Sequence, residues 1–146
     1  MFDLPELKQS FKGDIVTPDD DGYNQAIARW AANAERNARV VAFVKDNDDV
    51  ALALKYARAN SLQIAIRCGG HSTSGASSAE DGLVIDLSRY LNYAVVDPEE
   101  RTARVGGGSL WGTVENEAIK HGLATVAGRV NHVHCWVHRE LHSTRY

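Results

Sequence analysis

The chain has 146 residues, 44% of them hydrophobic and 24% charged, with 16 Lys and Arg against 19 Asp and Glu for a net charge of −3. That length predicts one domain, because domains typically run to roughly 100–200 residues, and the composition excludes disorder of the whole chain. A near-balanced charge without a basic run lacks the footprint of phosphate-backbone binding, and no stretch approaches the roughly 20 apolar residues of a membrane span, so neither nucleic acid nor a membrane is an expected partner.

The start, Met1-Phe2-Asp3-Leu4-Pro5-Glu6-Leu7, carries acids where a signal peptide carries bases, and no apolar core follows. An intracellular setting is therefore the default expectation. Residues 1–22 read as a polar lead-in whose aspartates, Asp19-Asp20-Asp21, can cap a helix beginning near Tyr23. Ala26, Ile27, Trp30 and Ala31 give that helix an apolar stripe. Arg39–Val44 is a short apolar run between polar neighbours, which predicts a buried strand. Asn47-Asp48-Asp49 starts a second helix that stops near Asn60, and Leu62–Ile66 predicts another buried strand. Strand, helix and strand within about 30 residues make a βαβ unit with parallel strands.

Gly, Ser, Ala and Thr dominate 68–80, a loop with little to bury. Leu83–Leu87 predicts a strand, and Asp97-Pro98-Glu99-Glu100 a turn between two strands of an antiparallel hairpin, 93–96 and 102–105. Gly106-Gly107-Gly108 breaks that pattern and reads as a structural kink. Ser109 can cap a helix through about Lys120, and Leu123–Val126 closes the series as a strand. The fold class expected is α+β, with a small βαβ layer followed by a separate α+β layer. The two cysteines, Cys68 and Cys135, are too few for a disulfide scaffold.

The chemistry concentrates in Arg67-Cys68-Gly69-Gly70-His71-Ser72, at the carboxyl end of a predicted strand, where open α/β sheets usually bind ligands. Adjacent glycines let backbone N–H groups approach an anion with no Cβ in the way. Arg67 adds charge, and Ser72, Thr73 and Ser74 add hydroxyl donors. Gly-Gly loops are also ordinary turns, so the pattern alone leaves both readings open.

The run from Arg67 to Tyr90, with its Gly69-Gly70-His71-Ser72 and its Asp81-Gly82-Leu83-Val84-Ile85-Asp86-Leu87-Ser88, closely resembles the PCMH-type FAD-binding domain of the vanillyl-alcohol oxidase superfamily, its berberine-bridge-enzyme-like branch above all. The resemblance continues through Val96-Asp97-Pro98, Thr102–Trp111 and His121–Gly128, and covers about 23–130. It implies FAD as cofactor, with Arg67, Cys68, Gly69, Gly70 and Ser72 cradling the pyrophosphate and Gly75 and Ser78 flanking it. Ala127 and Gly128 match a second cofactor segment, where most relatives show Gly-Gly. His71 is the implied point of covalent attachment to the flavin 8-methyl group, a role suited to a neutral imidazole, which is a competent nucleophile. The implied activity is oxidation of a C–H or alcohol-type small-molecule substrate with dioxygen as acceptor. Cys68 stands where relatives carry Gly or Ser and is expected to pack beside the loop. Leu110 and Trp111 are expected to fill core space, and Asp86 to order the loop.

From residue 131 to 146 the pattern diverges, and no residue present matches the family's catalytic base. The tail from about Val133 is expected to arise from a frameshift, an altered splice or a faulty gene model. The corresponding alternative function is that of a non-catalytic remnant of such an oxidase. His132, His134, Cys135, His138 and His142 raise a weaker alternative, a small metal-binding protein, because His134, His138 and His142 would share one face of a helix.

Overall fold

The computed structural model describes residues 2–125, 130 and 141–143. Its first layer is a four-stranded sheet in the order β1-β2-β4-β3, built from β1 (Asp14–Val16), β2 (Val40–Phe43), β3 (Ile64–Arg67) and β4 (Leu83–Asp86). The strands β2, β4 and β3 run parallel, and β1 joins β2 antiparallel. The two strands of the expected βαβ unit are thus parallel but not adjacent. The later strand β4 enters between them, and all four residues of both β2 and β4 are buried.

Strand alternation sends successive side chains to opposite faces, and each face has its own core. Val40, Ala42, Val44, Leu83 and Ile85 pack against Ala53, Tyr56 and Ala57 of α3 (Asn47–Ala59) and Leu7 of α1 (Leu4–Ser10). Val41, Phe43, Val84 and Ala65 pack against Tyr23, Ala26 and Ile27 of α2 (Tyr23–Ile27). The helix α3 starts at Asn47, as its sequence predicts, and the cap is the residue before, Asp46, whose carboxylate accepts from the N–H groups of Asp48 and Asp49. Asp49 is fully buried and accepts from the backbone N–H of Lys12, Gly13 and Lys45 at 2.9–3.0 Å, tying this helix to the chain ahead of β1.

Four expectations change in this first layer. Residues 1–22 are not merely a lead-in. They hold α1, with Asp3 accepting from the Glu6 N–H as N-cap and Pro5 in the first turn, and β1, which extends the sheet. The helix at Tyr23 is one short turn longer than nothing: it ends at Ile27, its N-cap is Gly22 without a side-chain cap, and Asp20 instead accepts from the N–H and hydroxyl of Thr17. Trp30 therefore lies outside the apolar stripe and is 69% exposed. The strand β3 is an edge strand, buried at Ala65 but exposed at Ile64 and Ile66.

The second layer is the hairpin β5 (Ala94–Asp97) and β6 (Thr102–Val105), the helix α4 (Trp111–Ile119), and β7 (Leu123–Thr125) paired antiparallel with β8 (Leu141–Ser143). Trp111 and Val114 are buried, as expected for Trp111, whereas Leu110 is half-buried and Ile119 lies on the surface. Ser109 does not cap this helix. Its hydroxyl donates to Tyr93 O at 2.7 Å and accepts from Tyr93 N at 3.0 Å, and the N-cap position falls to Leu110. Asn92 compensates, accepting from the Leu110 N–H and the Thr113 hydroxyl. The glycine tract packs closely on the first layer's chain: a Cβ at Gly106 or Gly108 would fall 2.0 Å from the carbonyl oxygen of Leu91 or Leu87.

Candidate functional site

The loop 68–82 leaves the edge strand β3 and returns as the central strand β4, so both ends are held by one parallel ladder. Arg67 and Asp86 face each other in that ladder. Arg67 Nη1 donates to Asp86 Oδ2 at 2.6 Å, with the arginine side chain 18% exposed and the carboxylate 0%. The other carboxylate oxygen accepts from the N–H and hydroxyl of Ser88 at 2.8 and 2.6 Å. Asp86 thus orders the turn after β4 and holds Arg67 at the root of the loop.

Gly70 adopts φ +67°, a conformation that side chains disfavour. A Cβ there would meet Arg29 Cδ at 3.0 Å and Arg67 Nε at 3.3 Å, so two arginine stems close on this glycine. Arg29 follows the end of α2. Its Nη1 donates to Ile27 O at 2.8 Å, Ala28 O at 2.9 Å and Ala26 O at 3.3 Å. Its Nη2 and Nε both reach Ser77 O, at 2.7 and 3.2 Å. Burial holds the Arg29 guanidinium below its usual pKa, and the Arg67 charge pushes the same way. The next residue, Trp30, donates its N–H to Gly70 O at 3.2 Å, and its ring lies 6.2 Å from the His71 imidazole, tilted by 40°.

Beyond His71 the loop folds on itself. Ser72 Oγ lies 3.0 Å from Ser74 Oγ and accepts from the Ala76 N–H at 3.3 Å, while Gly75, at φ +81°, donates to Ser72 O. Asn33 donates to Thr73 O at 3.3 Å. Among the described residues, three buried polar atoms here have no hydrogen-bond partner: Arg67 Nε, Ser77 Oγ and Ser78 Oγ. Cys68 leans the other way, toward the second layer, and its thiol donates to Gly107 O at 3.1 Å. Burial first, and then the Asp86 charge, push that thiol above its usual pKa, which favours the protonated form. Its side chain thus packs beside the loop, which leaves the Cys68 backbone as what this residue can offer a ligand.

Arg67, Gly70 and His71 are therefore brought together, with Ser72 and Gly75 on the same loop. Ala127 and Gly128 lie outside the described residues, as do His132, His134, Cys135, His138 and the His142 side chain. Among the described residues no group of His, Cys, Asp and Glu is arranged to hold a metal ion. Arg29, Trp30 and Ser77 belong to the site and carry no motif in the sequence. Arg29 and Trp30 lie about 40 residues before the loop, and only the packing of α2 on the sheet brings them there.

A family model described as an FAD binding domain matches residues 38–133. The (R)-6-hydroxynicotine oxidase of Paenarthrobacter nicotinovorans is 35% identical over 119 residues, covering 82% of this chain and 26% of that protein. An FAD-linked oxidoreductase of Aspergillus terreus is 35% identical over 133 residues, covering 88% of this chain and 27% of its own. The crystal structure of 6-hydroxy-D-nicotine oxidase from Arthrobacter nicotinovorans superposes with a TM-score of 0.81 at 34% identity, over 84% of this chain and 27% of that one. BBE-like 1 of Physcomitrella patens shares the fold at a TM-score of 0.80 and 21% identity, over 90% of this chain and 29% of that one. The chain spans about a quarter of the length of the curated relatives it matches.

Proposed function

The chain belongs to the family of FAD-binding domains, and from that premise we propose that its 67–78 loop holds the FAD pyrophosphate in a flavin-dependent oxidoreductase. Three buried polar atoms without a partner among the described residues, Arg67 Nε at the root of the loop and Ser77 Oγ and Ser78 Oγ on it, support this reading. A buried donor without a partner costs roughly 1–3 kcal/mol, and a diphosphate offers the acceptors that such donors lack. The residues present fit the group in a second respect. Two arginine side chains close on Gly70; Arg67 is paired with the buried Asp86 carboxylate, whereas Arg29 is held by carbonyl oxygens, which leaves positive charge for an anion to balance.

Arg67, Cys68, Gly69, Gly70, Ser72 and Gly75 are assigned to the pyrophosphate cradle, with Ser77 and Ser78 beside them. Ala127 and Gly128 are assigned to its second wall, and residues 23–130 carry the domain. His71 is assigned as the covalent attachment point. Bound FAD supplies the two-electron acceptor for a substrate C–H bond, with dioxygen as the final oxidant and a small alcohol-type molecule as substrate. This chain's residues bind and orient. Arg67 neutralises, the loop N–H groups and hydroxyls donate, and Asp86 keeps Arg67 from swinging out of place.

The test is the visible absorption spectrum of the purified protein after incubation with FAD, before and after acid precipitation. Yellow colour that stays with the pellet, and leaves it in His71→Ala, is the expected result. A folded chain that takes up no flavin would defeat the reading.

A further inference from the structure

We infer that Arg29 is a positioning residue of the cofactor loop, one that turns carbonyl oxygens away from the anion so that the loop presents donors to it. The inference rests on the pyrophosphate reading above and adds to it a residue that no motif marks.

A loop binds an anion through N–H groups only if its carbonyls point elsewhere, since a carbonyl oxygen aimed at a phosphate repels it. Here the segment Arg29-Trp30 collects them. The guanidinium takes Ser77 O with two nitrogens and the carbonyls of Ala26, Ile27 and Ala28 with the third. Those three are the oxygens left unpaired at the end of a short helix, the negative end of its dipole. The adjoining Trp30 N–H takes Gly70 O. Oxygens from both ends of the loop, Gly70 and Ser77, are thereby tied to one segment, at a glycine where the Arg29 stem already fills the space of a Cβ. A lysine would not do this, because an ammonium is a point donor without the planar fork that spans separate acceptors.

The geometry also separates Arg29 from a direct ligand. Its three nitrogens are all committed to carbonyls, whereas Arg67 keeps Nε unspent.

The experiment measures FAD affinity by flavin fluorescence on the whole chain, with His71→Ala in every sample so that binding stays reversible, for wild type at position 29, Arg29→Ala, Arg29→Lys and, as control, Arg58→Met on the exposed surface of α3. Arg29→Ala is expected to weaken FAD about tenfold, the worth of one charge-assisted hydrogen bond lost from the loop. Millimolar methylguanidinium should recover that affinity and methylammonium should not. Arg29→Lys is expected to stay at least about threefold weaker than wild type, and it decides the matter if Arg29→Ala fails to fold by circular dichroism. Affinity within twofold of wild type in a folded variant overturns the inference, as does a loss that methylguanidinium leaves untouched. Loss of fold in both variants overturns it too, because Arg29 would then serve the core. Absence of FAD binding both with Arg29 intact and in Arg58→Met defeats the underlying reading instead, and is distinct from a loss confined to the Arg29 variants.

Discussion

Arg67 and Asp86 are register partners on adjacent parallel strands, and their side chains meet at 2.6 Å. The pairing places a fully buried carboxylate under the root of the 68–82 loop. Asp86→Asn would leave Arg67 charged in a mostly dry position with no charge opposite. Breaking one side of a buried pair costs about 3–5 kcal/mol, so urea unfolding should show a large fall in midpoint. A midpoint unchanged from wild type would mean that water already compensates Arg67.

Trp30 is one of three tryptophans in the chain, and its exposed ring lies beside His71. If flavin is held at His71, FAD should quench Trp30 emission. Trp30→Phe should remove most of the FAD-dependent quenching while changing affinity by less than about threefold, within the ~0.6 kcal/mol scatter of surface changes. Quenching of undiminished amplitude in Trp30→Phe would place the flavin elsewhere.

The glycines separate into two kinds. A Cβ at Gly108 would strike Leu87 O, a backbone atom that cannot move aside, whereas a Cβ at Gly22 meets nothing within 4 Å. Gly108→Ala should therefore destabilise by about 1–3 kcal/mol or more, and Gly22→Ala should be neutral or slightly stabilising. Thermal melts of the two variants check this, and equal melting temperatures would count against the close backbone contact between the layers.

Several carboxylates are held below their usual pKa: Asp14 by the Tyr90 hydroxyl and then Arg89, Asp46 first by Lys12, and Asp81 by Arg39. For a lowered carboxylate the unfolded chain binds the proton more readily. Its stabilisation is complete above the ordinary carboxylate range of about 4 and is lost as pH falls through the lowered value. The melting temperature should thus drop on acidification below that range. Asp14→Asn should melt lower than wild type at neutral pH, with the gap closing in acid. A gap constant with pH would show that Asp14 acts through shape alone.

The layer order, the strand positions of Val40–Phe43 and Leu83–Asp86, and the loop between Arg67 and Leu83 were legible because each carries a local signal: an unbroken apolar run, or glycines and serines with little to bury. What was not legible depends on contacts distant in sequence. Leu4–Ser10 carries a capping aspartate and a first-turn proline, but its acidic start resembles a solvated lead-in, and only packing of Leu7 against α3 makes it core. Trp30 has helical spacing from Ala26 and Ile27, yet the helix stops first, because Arg29 turns back to take the last carbonyls. Ile64 and Ile66 look buried by composition. Whether a strand is central or at the edge is decided by where β4 inserts, about 20 residues later.

That insertion has a consequence for the loop itself. Two adjacent parallel strands require a crossover of about a dozen residues or more, usually a helix, and residues 68–82 make this one without any helix. The length of this loop is therefore a demand of the topology before it is a demand of any ligand. Deleting a few of its serines would strain the pairing of β3 with β4 even where no cofactor contact is lost. Conversely, a ligand that braces this span braces the middle of the sheet, so its binding energy should be felt throughout the first layer as resistance to unfolding.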